Sequence, residues 1–328
     1  MTAAGPDIAD IRALRDLLAE ATILTPMIRC AAIEDAIGGD TKVYAKLEFL
    51  QRTGTFKARG ALATLFALRP EQLVAGVTAV SAGNHAIATA YAAQVVGTTA
   101  KVVMTQSANS ARVEACKSYG AEVVFAADVH QAFEMAEGIQ NEEGRFFVHP
   151  FEGPAVATGT GTVGLEICEQ CDDFDAIIIP VGGGGLIAGI ANVVGRLRPD
   201  CEVIGVEPEG ADSMHRSLAS GEPVQIGAVR TIADSLGAPF AMPYSFGLCQ
   251  LHVDRLAMVD DLQLRKAMGF LFQAMKIAVE PACAASTAAL LGPLRKNLSG
   301  QRIVLVMCGS NIDWATFEEH AIFDEDAS

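Results

Sequence analysis

The chain has 328 residues and a formal net charge of −15, and 51% of its residues are hydrophobic against 19% that are charged. Disordered chains lack such hydrophobicity, and nucleic-acid binders carry an excess of basic residues, so this composition excludes both classes. At roughly 150 residues per domain, the length predicts about two domains, each able to bury its own core.

The predicted elements begin with a surface helix within residues 1–20, where charged residues recur at helical spacing. Seven short apolar runs follow, with helical stretches between them, and this alternation is typical of α/β chains. Uninterrupted β-branched runs indicate parallel strands that are covered on both faces, so we predict a doubly wound parallel sheet. The predicted strands are 77–80, 101–104, 122–125, 145–148, 176–181, 202–206 and 302–307. The predicted helices include 110–119, 186–194 and 262–277.

The eight cysteines lack the regular spacing of a disulfide framework, and no secretory signal is recognisable. These features predict reduced thiols and a cytoplasmic protein. Residues 72–100 contain no charged side chain, but the polar stretch from Ser81 to His85 in their middle favours a strand, a loop and a buried helix over a membrane span. We therefore expect neither a membrane nor a nucleic acid as partner.

Four consecutive glycines, Gly182 to Gly185, lie between a predicted strand and an apolar helix that starts at Leu186. A backbone without side chains can approach a phosphate closely, and the free amides of the first helical turn bind its charge. Gly183, Gly185 and Ala188 also satisfy the dinucleotide fingerprint, with Glu207 at about the expected distance downstream. On this spacing alone, a nicotinamide-dependent oxidoreductase remains an alternative.

Two further segments carry reactive side chains. Lys57 follows Phe56 in the string TGTFKARGA, between a turn and a predicted helix start, where a disfavoured ammonium form would leave an amine available for a Schiff base. The string SAGNH, Ser81 to His85, follows a strand end, and its amides with the Ser81 and Asn84 side chains can bind a carboxylate or a ring hydroxyl. A dinucleotide-binding fold has no use for Lys57, which favours a different cofactor.

Together these strings resemble the fold-type-II pyridoxal-phosphate enzymes, in particular the threonine/serine dehydratase and serine racemase family. The resemblance spans about residues 26–313 and includes VGGGGLIAGI, VEPEGAD, TIADSL, VEPACA and MCGSNID in the family's order. It implies an α/β fold like that of the tryptophan synthase β-subunit, with a large cofactor-binding domain over residues 1–66 and 153–328 and a small domain over 67–152 inserted in it. It also implies a homodimer.

The resemblance assigns the site residues position by position. Lys57 is implied to be the Schiff-base lysine and the proton shuttle, with Phe56 packed near the cofactor ring. The backbone from Gly182 to Leu186 is implied to hold the phosphate, Asn84 the ring oxygen, and Cys308 to face the pyridine nitrogen where relatives usually have serine. The segment Ser81, Ala82, Gly83, Asn84 and His85 is implied to hold the substrate carboxylate.

Departures from the family pattern narrow the expected activity. A thiol at Cys308, like a hydroxyl, is a weak neutral partner for the pyridine nitrogen, and this suits elimination more than transamination. Serine racemases have a second serine where this chain has Ala82, and a methyl group cannot move a proton on the opposite face. Thr160 and Ser235 stand where many relatives have glutamine and glycine, which leaves the side-chain specificity of the pocket open.

The family's divalent-cation site would fall on Glu207, Ala211 and Ser213, where Ser213 replaces an aspartate. Mg²⁺ or Ca²⁺ is therefore a weak expectation. No cation is certain to meet a second substrate carboxylate, although Arg52 and Arg59 are near Lys57 in sequence.

The resemblance implies a dehydratase that removes the β-hydroxyl and the amino group of a small-molecule β-hydroxy amino acid, such as L-threonine or L-serine, and gives a 2-oxo acid and ammonia. The alternatives are a 3-hydroxyaspartate dehydratase, then serine racemase activity, then the NAD-dependent oxidoreductase. A non-catalytic binding protein is a further alternative, but it would leave Lys57 idle in an intact motif.

Overall fold

The computed structural model describes residues 5–323, in which ten strands form one six-stranded and one four-stranded sheet. The strands are β1 (Met27–Arg29), β2 (Lys42–Leu47), β3 (Val77–Val80), β4 (Ala100–Thr105), β5 (Glu122–Ala126), β6 (Phe146–Phe147), β7 (Ala176–Pro180), β8 (Glu202–Pro208), β9 (Arg255–Val259) and β10 (Arg302–Met307). The first helices are α1 (Ile8–Leu17), α2 (Ala31–Ile37), α3 (Lys57–Phe66), α4 (Pro70–Ala75), α5 (Asn84–Val96), α6 (Ser110–Ser118), α7 (Val129–Glu143) and α8 (Pro154–Gln170). The remaining helices are α9 (Gly185–Leu197), α10 (Ser213–Ser220), α11 (Pro243–His252), α12 (Asp261–Met275), α13 (Pro281–Leu291), α14 (Arg295–Leu298) and α15 (Trp314–His320).

The six-stranded sheet has the order β1-β2-β10-β7-β8-β9. All its neighbours are parallel except β1, which pairs antiparallel with β2, so the sheet is mixed at one edge. Every residue of β7 is buried, and only the first residue of β10 is not, as the continuous apolar runs of both strands predict. The predicted α/β class with parallel sheets is confirmed, with this antiparallel edge as a difference in detail.

The four-stranded sheet has the order β5-β4-β3-β6 and is parallel throughout. All four strands lie within residues 67–152, whereas the strands of the larger sheet come from both sides of that segment. Leu18, next to α1, and Leu62 and Leu65 of α3 also belong to the core under the smaller sheet. Helix α3 therefore packs on this core, and it also packs against α8, whose residues belong to the core of the larger sheet.

Strands β1, β2 and β9 were not predicted, and β6 is shorter than the predicted 145–148. In β2 the sequence KVYAKL interrupts the apolar pattern with two lysines, yet Lys46 is fully buried. Its ammonium is neutralised by a glutamate that lies 120 positions further along the chain, which local sequence cannot reveal. The helix predicted over 262–277 is α12, and the one predicted over 186–194 is α9, which extends further at both ends.

A buried cluster of four charges connects α3 to β2 and α8. The Arg59 guanidinium donates to Glu48 at 2.8 and 2.9 Å and to Glu166 at 2.6 and 2.8 Å. Lys46 Nζ donates to Glu166 at 2.6 Å and to the carbonyl oxygen of Thr25 at 2.8 Å. We name Lys46, Glu48, Arg59 and Glu166 the α3 charge cluster; its two positive and two negative groups balance.

Burial disfavours the charged form of Arg59, but the charges of Glu48 and Glu166 outweigh burial and raise the pKa of Arg59. Such a cluster stabilises the fold only while every partner is present, because a single remaining buried charge keeps its full desolvation cost. The cluster therefore fixes the position of α3 rather than adding stability as an isolated ion pair would.

Among residues 5–323, no helix combines the length and the apolarity that crossing a bilayer requires. The homodimer, the cytoplasmic location and the domain boundaries at residues 66 and 153 stay predictions.

We predict that Arg59→Met lowers the free energy of unfolding by about 3–5 kcal/mol, because two buried glutamates would then face one lysine. Urea denaturation followed by circular dichroism measures this change. Arg69→Met is the matched control, since the Arg69–Glu71 pair is exposed and its atoms lie 3.9 Å apart. Equal denaturation midpoints for the two variants would contradict the structural role of the cluster.

Candidate active site

The loops singled out in the sequence meet at the carboxyl ends of parallel strands. The four glycines from Gly182 to Gly185, which we name the glycine loop, follow β7. Cys308 follows β10, and Ser81 follows β3 of the smaller sheet. In open α/β sheets this edge is where ligands bind. One cavity is lined by Lys57, Asn84 and Cys308 together with the glycine loop, so the structure brings these predicted residues together.

Lys57 is the first residue of α3, and its side chain points across the cavity. Lys57 Nζ donates a hydrogen bond to the carbonyl oxygen of Pro150 at 2.6 Å and lies 5.1 Å from the centroid of the Phe56 ring. Burial lowers the pKa of Lys57 to about 8, although the nearby Cys308 and Glu280 oppose this shift. A larger fraction of the amine is therefore uncharged near neutral pH than in an exposed lysine.

The glycine loop cannot carry side chains, because neighbouring groups occupy the space that a Cβ atom would need. A Cβ on Gly183 would overlap with the Phe151 ring, and one on Gly185 would lie 2.7 Å from the Phe151 Cα atom. Gly184 has a φ of +90°, a left-handed conformation that favours glycine. Helix α9 begins at Gly185, and the amides of its first turn have no acceptor within the helix, so they form an anion site.

The Ser81–His85 loop lines a second, adjoining cavity, which shares Lys57, Asn84 and Gly183 with the first. The Ser81 hydroxyl accepts a hydrogen bond from the Gly83 amide at 3.1 Å and thereby closes the turn before α5. Ala82, Gly83 and Asn84 line the cavity. The His85 ring bonds to the carbonyl oxygen of Val148 at 2.8 Å, and burial lowers the pKa of His85 to about 3, so the ring is neutral near pH 7.

The Asn84 amide is held on all sides. Its Nδ2 donates to Glu280 Oε1 at 2.8 Å and to Ser235 Oγ at 3.1 Å, and its Oδ1 accepts from Asn311 Nδ2 at 2.7 Å. Asn84 can therefore donate to a cofactor oxygen only by releasing one of these acceptors, and the longer bond to Ser235 is the weaker. Glu280 was not assigned a role from the sequence; its signal was an acid between apolar residues, directly before α13.

Cys308 lies at the end of β10 and is 3% exposed. A hydrogen bond with Cys283 and burial raise the pKa of the Cys308 thiol well above its usual range, so it stays neutral. The carbonyl oxygen of Cys308 accepts the Phe56 amide at 3.1 Å and so connects this strand end to the start of α3.

A row of aromatic rings extends from the surface of the smaller sheet to the glycine loop. Ring centroids are 6.5 Å apart from Phe133 to Phe147, 6.2 Å from Phe147 to His149, 4.6 Å from His149 to Phe151, and 5.9 Å from Phe151 to Phe240. We name these five residues the aromatic wall. Four of them, all except Phe147, line a cavity of about 300 Å³ that reaches Lys57 and the Ser81–His85 loop. No member of the wall had been assigned to the substrate pocket from the sequence.

Arg112 also lines this cavity, but its charge is already paired. Its Nη1 lies 2.5 Å from Asp234 Oδ2, and its Nε donates to the carbonyl oxygen of Asn311 at 3.1 Å. Arg59 does not reach the cavity, because it belongs to the α3 charge cluster, and Arg52 is exposed and absent from the lining. Their nearness to Lys57 in sequence had made both arginines candidates for binding a second substrate carboxylate. Neither is placed to do so.

The carboxylate of the expected cation site has other partners. Glu207 Oε1 accepts the Met214 amide at 2.8 Å, and Glu207 Oε2 accepts the His215 amide at 2.7 Å. Both oxygens thus cap the first turn of α10, and these amides lower the pKa of Glu207, but burial outweighs them and raises it to about 8.

The other positions of the expected cation site offer no free carboxylate either. Ser213 offers an uncharged oxygen, Ala211 only a carbonyl, and the neighbouring Asp212 pairs with Arg216 at 2.8 Å. Within residues 5–323, no group of three or more His, Cys, Asp or Glu residues could hold a metal ion. Mg²⁺ and Ca²⁺ are held by oxygen ligands that usually include a carboxylate, and both carboxylates here already have other partners, so this donor set does not fit either ion.

The cavity does fit pyridoxal phosphate. Lys57 provides a desolvated amine for the aldehyde, and the glycine loop provides a bare helix start for the phosphate. Cys308 and Asn84 provide polar atoms for the ring, and Glu280 Oε2 is buried without a hydrogen-bond partner, which indicates that a donor is missing at that edge.

Comparisons with known proteins agree with this donor set. The profile of a family described as "Pyridoxal-phosphate dependent enzyme" matches residues 18–309. The chain is 52% identical to the phenylserine dehydratase of Ralstonia pickettii over 96% of both chains, and 33% identical to the L-threo-3-hydroxyaspartate ammonia-lyase of Saccharomyces cerevisiae over 94% of both. The structure of maize serine racemase superimposes with a TM-score of 0.91 at 33% identity, covering 96% of this chain and 97% of the other. The chain therefore belongs to the fold-type-II pyridoxal-phosphate dependent enzymes, within the threonine/serine dehydratase and serine racemase family.

Proposed function

We propose that this enzyme is a dehydratase of β-hydroxy amino acids with an aryl substituent on the β-carbon, of which 3-phenylserine is the simplest. The reaction removes the α-proton and the β-hydroxyl as water; the released enamine then takes up water and loses ammonia, which leaves a 2-oxo acid. The observation that carries this substrate class is the aromatic wall beside Lys57. The 52% identity to a phenylserine dehydratase agrees with it.

The wall suits a ring better than a methyl group or a hydrogen. Aromatic rings attract one another in edge-to-face and offset arrangements with centroids about 4.5–7 Å apart, the range that the wall itself adopts. An aryl group inserted beside Phe151 and Phe240 would gain such contacts and lose its own hydration. The methyl of threonine would leave most of this apolar surface uncovered, so threonine and serine are the weaker substrates.

A carboxylate on the β-carbon suits the cavity least. Hydroxyaspartate would need a free cation, but Arg112 is paired with Asp234 and lies 3.9 Å from Glu280. Breaking that pair would leave a carboxylate without its partner, at a cost that an uncharged aryl group avoids. The 3-hydroxyaspartate reaction is therefore the weaker alternative.

Each protein group then has a separate task. Bound pyridoxal phosphate supplies an electron sink that makes the α-proton acidic. Lys57 Nζ, with its pKa lowered by burial, takes and holds the α-proton. The first-turn amides of α5 and the Ser81–His85 loop bind the substrate carboxylate, and the glycine loop holds the phosphate. Ala82 offers no proton acceptor on the other face, so the enzyme eliminates without racemising its substrate.

We predict that Lys57→Ala abolishes both ammonia release and the covalent attachment of the cofactor, because Lys57 is the amine placed in the cavity. Borohydride reduction followed by peptide mass mapping should find a pyridoxyl adduct on Lys57 in the parent enzyme and none in the variant. Lys117→Ala, at a half-exposed lysine of α6, should behave like the parent. Ammonia release by Lys57→Ala at the parent rate would refute the proposed role.

We predict that kcat/KM is higher for phenylserine than for threonine or serine, and that Phe240→Ala lowers the phenylserine value about tenfold while changing the threonine value little, since one aromatic contact is lost. Steady-state assays of 2-oxo acid formation measure both. Phe125→Ala is the control, because this exposed phenylalanine of β5 lies outside the cavity lining. A parent enzyme that prefers serine or threonine would contradict the aryl assignment.

We predict that dialysis against a chelator leaves turnover unchanged and that added Mg²⁺ or Ca²⁺ does not raise Tm, because the Glu207 oxygens already accept two amides. A cation that bound the folded state would raise Tm with its concentration. Loss of turnover in the chelator, with recovery on adding either cation, would restore the metal site at Glu207, Ala211 and Ser213.

A further inference from the structure

Glu280 is a buried carboxylic acid at the edge of the cofactor cavity that the proposed reaction does not use. It lies directly before α13, is 1% exposed, and lines the same cavity as Lys57 and Cys308. Its position is tightly defined, because Oε1 accepts from Asn84 at 2.8 Å and a Cβ on Gly309 would approach Oε1 to 2.8 Å.

The two oxygens of Glu280 have unequal partners. Oε1 is bonded to Asn84, whereas Oε2 is buried without any hydrogen-bond partner. Its nearest cation, Arg112 Nη2, is 3.9 Å away, which is beyond hydrogen-bond distance. An ionised oxygen left in this state carries a large desolvation cost, so the geometry requires a proton, either on the acid itself or shared with a donor in the cavity.

We propose that Glu280 is a positioning residue that shares a proton with the ring hydroxyl of pyridoxal phosphate. Through Oε1 it orients the Asn84 amide towards the same ring edge, and through Oε2 it exchanges the proton. The inference rests on the cofactor placement between Lys57 and the glycine loop, and not on the aryl substrate.

The charges around Glu280 agree with a proton that is held near neutral pH. Burial, and after it the charge of Asp234, raise the pKa of Glu280 to about 7, against the opposing effects of Arg112, Asn84 and Ser235. Lys57 on α3 and the neutral thiol of Cys308 after β10 also face it. Because the folded-state pKa is raised above 4.5, the proton is present below about pH 7 and is lost above it.

The test is the visible spectrum of the holoenzyme as a function of pH. The ring hydroxyl and its ionised form absorb differently, so in the parent enzyme the two absorbance bands should exchange with a midpoint near pH 7. Glu280→Gln keeps the shape but cannot take up the proton, so the exchange near pH 7 should disappear while the borohydride adduct on Lys57 is retained. Glu34→Gln, at a buried glutamate of α2 that is paired with Arg29 of β1, is the matched control and should keep the exchange.

A second variant makes the inference testable even where Glu280→Gln does not fold. Asp234→Asn removes a like charge and frees Arg112 to face Glu280, so the midpoint should move to lower pH by about one unit. An unmoved midpoint in Asp234→Asn, or a parent-like exchange in Glu280→Gln with the adduct on Lys57 present, would overturn the role of Glu280 alone. A parent enzyme without the Lys57 adduct would overturn the proposed function as well, so the two failures are distinguishable.

Discussion

The α3 charge cluster is the constraint on which the geometry of the site depends. Lys57 is the first residue of α3, and Arg59 is the third, so the cluster holds the helix within one turn of the reactive amine. The guanidinium binds two carboxylates at once, one from the segment after β2 and one from α8. Because a bidentate guanidinium fixes direction as well as distance, α3 cannot rotate or slide without leaving a buried charge unpaired. The position of Lys57 is thus determined by groups that never touch the substrate.

Parts of the site that use backbone chemistry could be predicted from sequence, because their signals are local. Four glycines before an apolar helix require a close approach of the backbone whatever the rest of the chain does, and Gly184 does have a positive φ. The strand ends before Ser81 and Cys308 could be located from apolar runs. Since β7 and β10 are parallel neighbours, the glycine loop and Cys308 had to lie at one sheet edge. Ser81 follows a strand of the other sheet, so its approach to them depends on how the two sheets pack.

The remaining features depend on contacts between distant segments. A sequence cannot show that Lys46 is buried, because its partner Glu166 is far along the chain, and strand β2 was missed for that reason. The aromatic wall also depends on contacts between distant segments. Its rings come from α7, from β6 and the segment after it, and from the loop before α11. Phenylalanines at Phe133 and Phe240 are 107 positions apart, and each alone is indistinguishable from ordinary core packing.

Burial away from water shifts the pKa values of several groups around the cavity. The same burial lowers the pKa of the Lys57 amine and raises the pKa of the Glu280 carboxyl, so both groups come nearer to exchanging protons at neutral pH than either would in water. The ring of His85 stays uncharged for the same reason, and the thiol of Cys308 stays uncharged through its hydrogen bond with Cys283 and its burial. The proposed aryl group is neutral, and beside the apolar wall it would leave intact the dry surroundings that shift the pKa values of Lys57 and Glu280. The proposed substrate class and the proton chemistry therefore both depend on the exclusion of water from the site.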